Sequence, residues 1–164
     1  MEKLYQVVNK DDEVIGHKLR KEIDFKLDIY RIAALWLTNS NGDVLIAQRL
    51  LTKDKDPGKW GPAAAGTLEE GEDYETNIYK EAEEEIGLTA VAFTKGPKQR
   101  FHVRESFCQW FTGICDWDVD QFILQPDEVA QVEWVSQKSL IKDINDNPDK
   151  YVPSMSSIID LLYT

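Results

Sequence analysis

Residues 66–88 read GTLEEGEDYETNIYKEAEEEIGL, and the surrounding chain is best understood from them. From Asp73 onward the spacing predicts a helix, because Ile78, Ala82 and Ile86 recur every four residues and Gly87 is placed to end it. On that helix Glu81, Glu84 and Glu85 fall at i, i+3 and i+4, so three carboxylates share one face with Cβ atoms about 5–6 Å apart. Like charges at that spacing repel, and either water or a cation must answer them. Taken alone, an acidic run is most often a solvated face. If a cation does sit there, an oxygen-only donor set suits a hard divalent ion such as Mg2+ or Mn2+, which bridges carboxylates to a phosphate.

Working outward, Ala63–Ala65 is a short strand of small residues feeding Gly66, and 52–62 is a polar loop punctuated by Pro57-Gly58. Trp60, near its end, more commonly anchors such a loop to the core than offers a platform to substrate. Ile29–Thr38 is a near-continuous apolar run, the mark of a strand buried on both faces. A turn containing Asn41-Gly42 leads into Val44–Arg49, and the two strands are expected to pair. At the start, Leu4–Val8, the turn 9–12 and Val14-Ile15 form a hairpin over about residues 1–16, followed by a short helix or loop over 18–25.

Downstream, a strand is expected over 89–94 and a strand or strand pair over 98–116, with Phe107, Trp110, Phe111 and Ile114 supplying core. A period of two there sets Lys98, Arg100, His102 and Arg104 on one face, as a basic edge for substrate phosphates or equally as a solvated face. Residues 122–124 continue the sheet, Pro126-Asp127-Glu128 is a loop, and Val132–Val135 is a strand. Ser136 caps a helix to about Ile144, and Pro153 opens a last helix with the stripe Met155, Ile158, Ile159 and Leu162. This order places the chain in the α/β class, as one domain over 1–164 with an α/β/α sandwich around a central mixed sheet.

With 164 residues and 42% hydrophobic content, the chain suffices for one well-cored domain and one active site. A net charge of −11, from 19 Lys and Arg against 30 Asp and Glu, argues against general affinity for nucleic acid or anionic membrane. A small phosphorylated molecule remains compatible, since a metal ion inverts the local field. Cys108 and Cys115 make neither a disulfide framework nor a zinc cluster, the N-terminus has no signal-peptide pattern, and no apolar run approaches the roughly 18 residues of a membrane span. A reduced, cytoplasmic protein is expected.

The stretch from Gly66 resembles the Nudix box, which is Gly, five residues, Glu, seven residues, then Arg-Glu-apolar-x-Glu-Glu-x-Gly-apolar. Gly66, Glu72, Glu81, Ala82, Glu84, Glu85, Gly87 and Leu88 stand at matching positions, and only Lys80 departs, where the family has Arg. The resemblance implies the Nudix sandwich and cleavage of a diphosphate linkage in a nucleoside diphosphate derivative, with Mg2+ or Mn2+ held by Glu81, Glu84, Glu85 and the Ala65 carbonyl. Glu84 then accepts the proton from water, and Glu72 supports from behind, paired with Lys80. Arg49, Arg100 and Arg104 are assigned to the small-molecule diphosphate substrate. Glu128 joins the catalytic set, because it resembles the family's acid a few residues ahead of a tryptophan such as Trp134; Asp127 is its competitor.

Beyond the box, VVNKDDEVIGHKLR, WLTNSNGDVLIAQR, PGKW and DEVAQVEWVS resemble the Nudix branch that contains type I isopentenyl-diphosphate isomerase and its hydrolase-like relatives. Isomerase chemistry needs a Cys immediately before the box glycine and metal-binding histidines. That position is Ala65, the next residue after the glycine is Thr67, and the only histidines are His17 and His102, so a hydrolase is favoured. A catalytically silent nucleotide-binding regulator is the third alternative, and a monomer and a homodimer are both compatible with the sequence.

Overall fold

The computed structural model describes residues 2–163. Its centre is the strand Ile29–Thr38, third in chain order (β3), which pairs on both edges. On one edge it runs parallel to β8 (Ser106–Ile114), in register from Tyr30 with Ser106 to Thr38 with Ile114. On the other it is antiparallel to β6 (Ala64–Thr67), from Ile32 with Thr67 to Leu35 with Ala64. Side chains alternate between the two faces as a strand requires. Ala33, Leu35 and Leu37 join one apolar cluster with Ile78, Ala82 and Ile86 of the helix α1 (Tyr74–Ile86). Ala34 and Trp36 join another with Leu140 and Ile144 of α2 (Gln137–Asp146) and Met155 and Ile158 of α3 (Ser154–Leu162). This double burial explains the unbroken apolar run, and the result is the expected α/β/α sandwich on a mixed sheet.

The expected pairing of β3 with β4 (Val44–Arg49) survives at one position only, Thr38 with Val44. Beyond the turn the two strands part. β4 instead lies antiparallel to β9 (Val129–Val135) and to the two-residue strand β5 (Trp60–Gly61). The segment 60–67 is therefore wedged between the diverging strands: β5 bonds to β4, β6 bonds to β3, and the Ala63 N–H donates to the Leu35 carbonyl at 3.2 Å. Trp60 is buried and its carbonyl accepts from Val152 N–H at 2.9 Å, so it anchors this wedge to the α3 side.

The helix that carries the three glutamates is capped at both ends as read from sequence. The Asp73 carboxylate accepts from Thr76 N–H at 2.7 Å, and Gly87 takes the left-handed conformation at φ 67°. Ser136 caps α2 by accepting from Ser139 N–H at 3.2 Å.

The N-terminal hairpin is β1 (Leu4–Val8) and β2 (Val14–Leu19), longer than expected because the second strand continues to Leu19 before a 3-10 turn at Arg20–Glu22. The hairpin reaches β3 through only two register pairs, Val7 with Tyr30 and Val8 with Ile29. Asp12, in the hairpin turn at φ 61°, supplies a further tie. Its carboxylate accepts from Arg31 of β3 at 2.7 Å, from the Tyr74 hydroxyl of α1 at 2.8 Å, and from Lys98 of β7 (Thr94–Phe101) at 2.6 Å.

Three downstream expectations change. Residues 89–93 form no strand: Ala90 adopts φ 60° and Phe93 stacks on Tyr79 of α1, with ring centroids 4.4 Å apart. Residues 122–124 do not extend the sheet, because their backbone is used at the end of α1, where Ile123 N–H donates to the Ile86 carbonyl at 3.0 Å. Within β8, Trp110 and Phe111 are core, Phe107 is half-buried under Arg100, and Ile114 at the strand end is 67% exposed.

Candidate active site

A cleft of about 800 Å³ opens beside the wedge and the box helix, a volume suited to a small molecule. Ala65 and Gly66 line it together with Glu81, Glu84 and Glu85. The glycine is required by contact: a Cβ at Gly66 would lie 2.4 Å from the Glu81 carboxyl carbon. Glu85 turns inward and accepts the Ala65 N–H at 3.0 Å. Burial pushes its carboxyl up to about 8; the Ala65 hydrogen bond opposes this, and the charges of Glu81 and Glu128 add to it. Burial likewise raises Glu81 to about 7, with Lys80 opposing and Glu84 reinforcing. Glu84 is exposed. Among the described residues no three acidic, imidazole or thiol side chains are gathered tightly enough to chelate one ion in these rotamers.

Lys80 is no solvated helix position. Its ammonium lies 3.0 Å from Glu69, 3.0 Å from Glu72 and 3.7 Å from Glu81. Burial works against its charge, and the hydrogen bonds to Glu72 and Glu69 outweigh burial, holding the ammonium above its ordinary pKa. Glu69 also pairs with Lys3 ahead of β1, at 3.0 Å. A point charge thus meets several carboxylates where a guanidinium would use its fork.

Arg49, Lys53, Lys55 and Arg104 also line the cleft, with Asp127 and Glu128. Arg49 Nε donates to the Lys55 carbonyl at 2.9 Å, Arg104 pairs with Asp56 at 3.2 Å, and Glu128 pairs with Lys53 at 2.8 Å. Arg100 is absent from the cleft wall, contrary to the sequence expectation. The strand ends at Phe101, the chain reverses through 102–105, and Arg100 is held by Glu105 and the Phe101 carbonyl over the Phe107 ring. The period of two therefore fails after Phe101: Lys98 is committed to Asp12, while His102 and Arg104 reach the cleft from the turn. His17, on β2, does not line it.

Lys55, Tyr30 and Arg20 line the cleft as well, and no sequence pattern marks them. Lys55 and Arg20 belong to segments with no motif, and Tyr30 reads as an ordinary core position at the start of an apolar strand.

A glycine turn and a run of helix carboxylates facing an open cleft, on a three-layer sandwich, define the class of the Nudix hydrolases. The chain matches the NUDIX domain family over residues 29–157 and belongs to it. An uncharacterized Nudix hydrolase of Yersinia pestis is 26% identical over 159 residues, covering 96% of this chain and 84% of that protein. A Nudix hydrolase of Deinococcus radiodurans is 27% identical over 139 residues, covering 84% of this chain and 81% of its own. In fold, the crystal structure of DR0079 from Deinococcus radiodurans superposes with a TM-score of 0.85 at 22% identity, over 98% of this chain and 99% of that one. A bifunctional NMN adenylyltransferase/ADP ribose pyrophosphatase from Francisella tularensis, complexed with AMP and a Mn ion, gives 0.60 at 20% identity, over 87% of this chain and 43% of that one. The protein is an enzyme of the Nudix hydrolase type.

Proposed function

We propose that the protein hydrolyses a diphosphate linkage in a nucleoside diphosphate derivative or a similar small molecule, with Mg2+ or Mn2+ held by Glu81, Glu84, Glu85 and the Ala65 carbonyl. The observation that carries this is the pair of half-buried carboxylates, Glu81 and Glu85, on the cleft wall beside a turn whose glycine leaves room for them. Among the described residues Lys80 is the one cation within ion-pair distance of Glu81, and no side-chain cation pairs with Glu85. The donors are oxygen only, and their charge calls for a hard external cation, so the residues fit such an ion. When bound, it neutralises the diphosphate and acidifies a water. The Francisella neighbour, complexed with AMP and manganese, is consistent with this assignment.

The side chains divide the remaining work. Glu84 makes no hydrogen bond or ion pair among the described residues and stands exposed in the cleft, free to accept a proton. Glu128 reaches the same cleft on the loop before β9, oriented by Lys53. Arg49 and Arg104, on the same cleft, orient the phosphates of the substrate. Isomerisation of isopentenyl diphosphate is disfavoured. Ala65 has no proton to give, and the cysteine that does line the cleft, Cys108, is 2% exposed with its thiol pushed up by burial to about 12.

The test is a screen of nucleoside diphosphate derivatives and isopentenyl diphosphate with Mg2+ or Mn2+, reading the monophosphate products of cleavage and any allylic product. Glu84→Gln and Glu85→Gln keep shape and remove charge, so folding survives and turnover falls at least about a hundredfold. Full activity in EDTA, unchanged turnover in either variant, or enzyme-like isomerisation would sink the proposal.

A further inference from the structure

The box carboxylates leave the cations of the cleft wall unexplained. The Lys55 ammonium is half-buried there, with the Tyr30 hydroxyl at 3.3 Å as its hydrogen-bond partner and the Tyr30 ring centroid 5.7 Å away. No carboxylate of the described residues forms an ion pair with it, although an ammonium offers three donors. The charges that face it from packed elements are Arg49 of β4, Arg20 after β2, Arg104 in the β7–β8 turn and Asp56 of its own loop. Asp56 is already committed to Arg104. Four cations thus converge around one paired acid, in a chain whose net charge is −11. Burial first, then Arg104, Arg49 and Arg20, push the Lys55 ammonium down to about 8, with Asp56 opposing. A solvated basic patch would keep such a lysine in water. Here it is drawn inward among like charges, an arrangement that an external anion would stabilise. Arg49 links this group to the carboxylates, since its charge acts on both Glu85 and Lys55.

We propose that Lys55, Arg104 and Arg20, with the Tyr30 hydroxyl, form a second anion subsite for a substrate phosphate other than the diphosphate being cleaved. This rests on the hydrolase assignment and narrows it: the substrate is a diphosphate that carries an additional phosphomonoester at its far end. The subsite itself needs no metal, whereas cleavage does, so the two can be tested separately.

Calorimetric titration of the whole protein with inorganic phosphate in EDTA reads the subsite alone. Lys55→Met removes a half-buried charge that has no carboxylate partner, so the variant folds, and its phosphate affinity falls at least about tenfold. Lys142→Met, an exposed lysine of α2, leaves affinity unchanged and serves as the charge control. At pH 8.5, titrations in two buffers of different ionisation enthalpy show proton uptake by the unsubstituted protein and none by Lys55→Met, because the bound anion restores the lysine's proton. With Mg2+, the kcat/KM ratio of NADP+ to NAD+ and of CoA to dephospho-CoA, pairs differing by one phosphomonoester, exceeds one for at least one pair and falls toward one in Lys55→Met. Phosphate affinity equal in the two proteins, or a kcat/KM ratio indifferent to Lys55, overturns the subsite. Lys55-dependent phosphate binding with no hydrolysis of any diphosphate leaves the subsite standing and overturns the hydrolase assignment beneath it.

Discussion

Lys80 occupies the one box position where this chain departs from the family pattern, and its surroundings show how the departure is absorbed. Glu69, three residues past Gly66 and outside the box pattern, supplies a carboxylate that faces Lys80 on one side and Lys3 on the other. The ammonium therefore holds Glu72 and stands 3.7 Å from Glu81 while being held itself. Positioning residues of this kind typically cost 10- to 100-fold in activity when removed. Lys80→Ala is expected to lower kcat/KM by about that factor, and Lys80→Arg to stay within about threefold of the parent. Steady-state kinetics on one hydrolysed substrate decides it, and wild-type behaviour of Lys80→Ala returns the residue to a structural role. The carboxylates were legible because side-chain spacing on a helix is a local property. Lys3, Glu69 and Lys55 were not, because their partners come from remote segments that no periodicity connects.

At the scale of elements, the segment between the 3-10 turn Val119–Gln121 and β9 shows why a strand was expected and not found. Its apolar residues suit a sheet, yet Ile123 N–H and Gln125 N–H donate to the carbonyls of Ile86 and Glu85, satisfying the last turn of α1. Phe122 is buried between Trp117 and Trp134, with centroids 5.3 and 6.2 Å away. This capping fixes the following loop to the helix that carries the box glutamates, and so delivers both Asp127 and Glu128 to the cleft. The two acids are then separable by kinetics. Glu128→Gln is expected to lower kcat about 10- to 100-fold with KM little changed, and Asp127→Asn to leave both near the parent values. A kcat loss confined to Asp127→Asn moves the role by one residue, and no loss in either makes the loop a solvated turn. Strand identities and helix caps were readable from local pattern, whereas the parting of β3 from β4 was not. It depends on which later segment, 60–67 or 106–114, claims each edge of β3.

For the whole molecule, composition spoke only to averages. A net charge of −11 conceals a cleft whose wall carries Arg20, Arg49, Lys55 and Arg104 as well as the box carboxylates. The sandwich itself followed from element order, since an apolar strand buried on both faces requires helices on each side. The N-terminal hairpin joins that sandwich through two register pairs to β3, through backbone hydrogen bonds from Gln6 N–H to the Leu68 carbonyl and from Glu70 N–H to the Leu4 carbonyl, and through the Asp12 carboxylate gripping β3, α1 and β7 at once. Burial resists ionisation of Asp12, but hydrogen bonds from Lys98, Arg31 and Tyr74 outweigh it and hold the carboxyl below its ordinary value of 3.8. The stabilisation is complete above that ordinary value and is lost as pH falls through the lower, folded one. Acidification should therefore act as a release catch. Amide exchange in β1 and β2 is expected to accelerate below about pH 4 before β8 responds, and Asp12→Asn, weakening the grip by about 1–3 kcal/mol, to show the same loosening at neutral pH. Equal hairpin protection in Asp12→Asn and the parent would show the catch does not exist. A hairpin that lets go bares the Ile29–Tyr30 edge of β3, and an unpaired strand edge is a template for another chain. The acidic limit of this enzyme should accordingly be set by self-association, with turbidity rising while its helices are still folded.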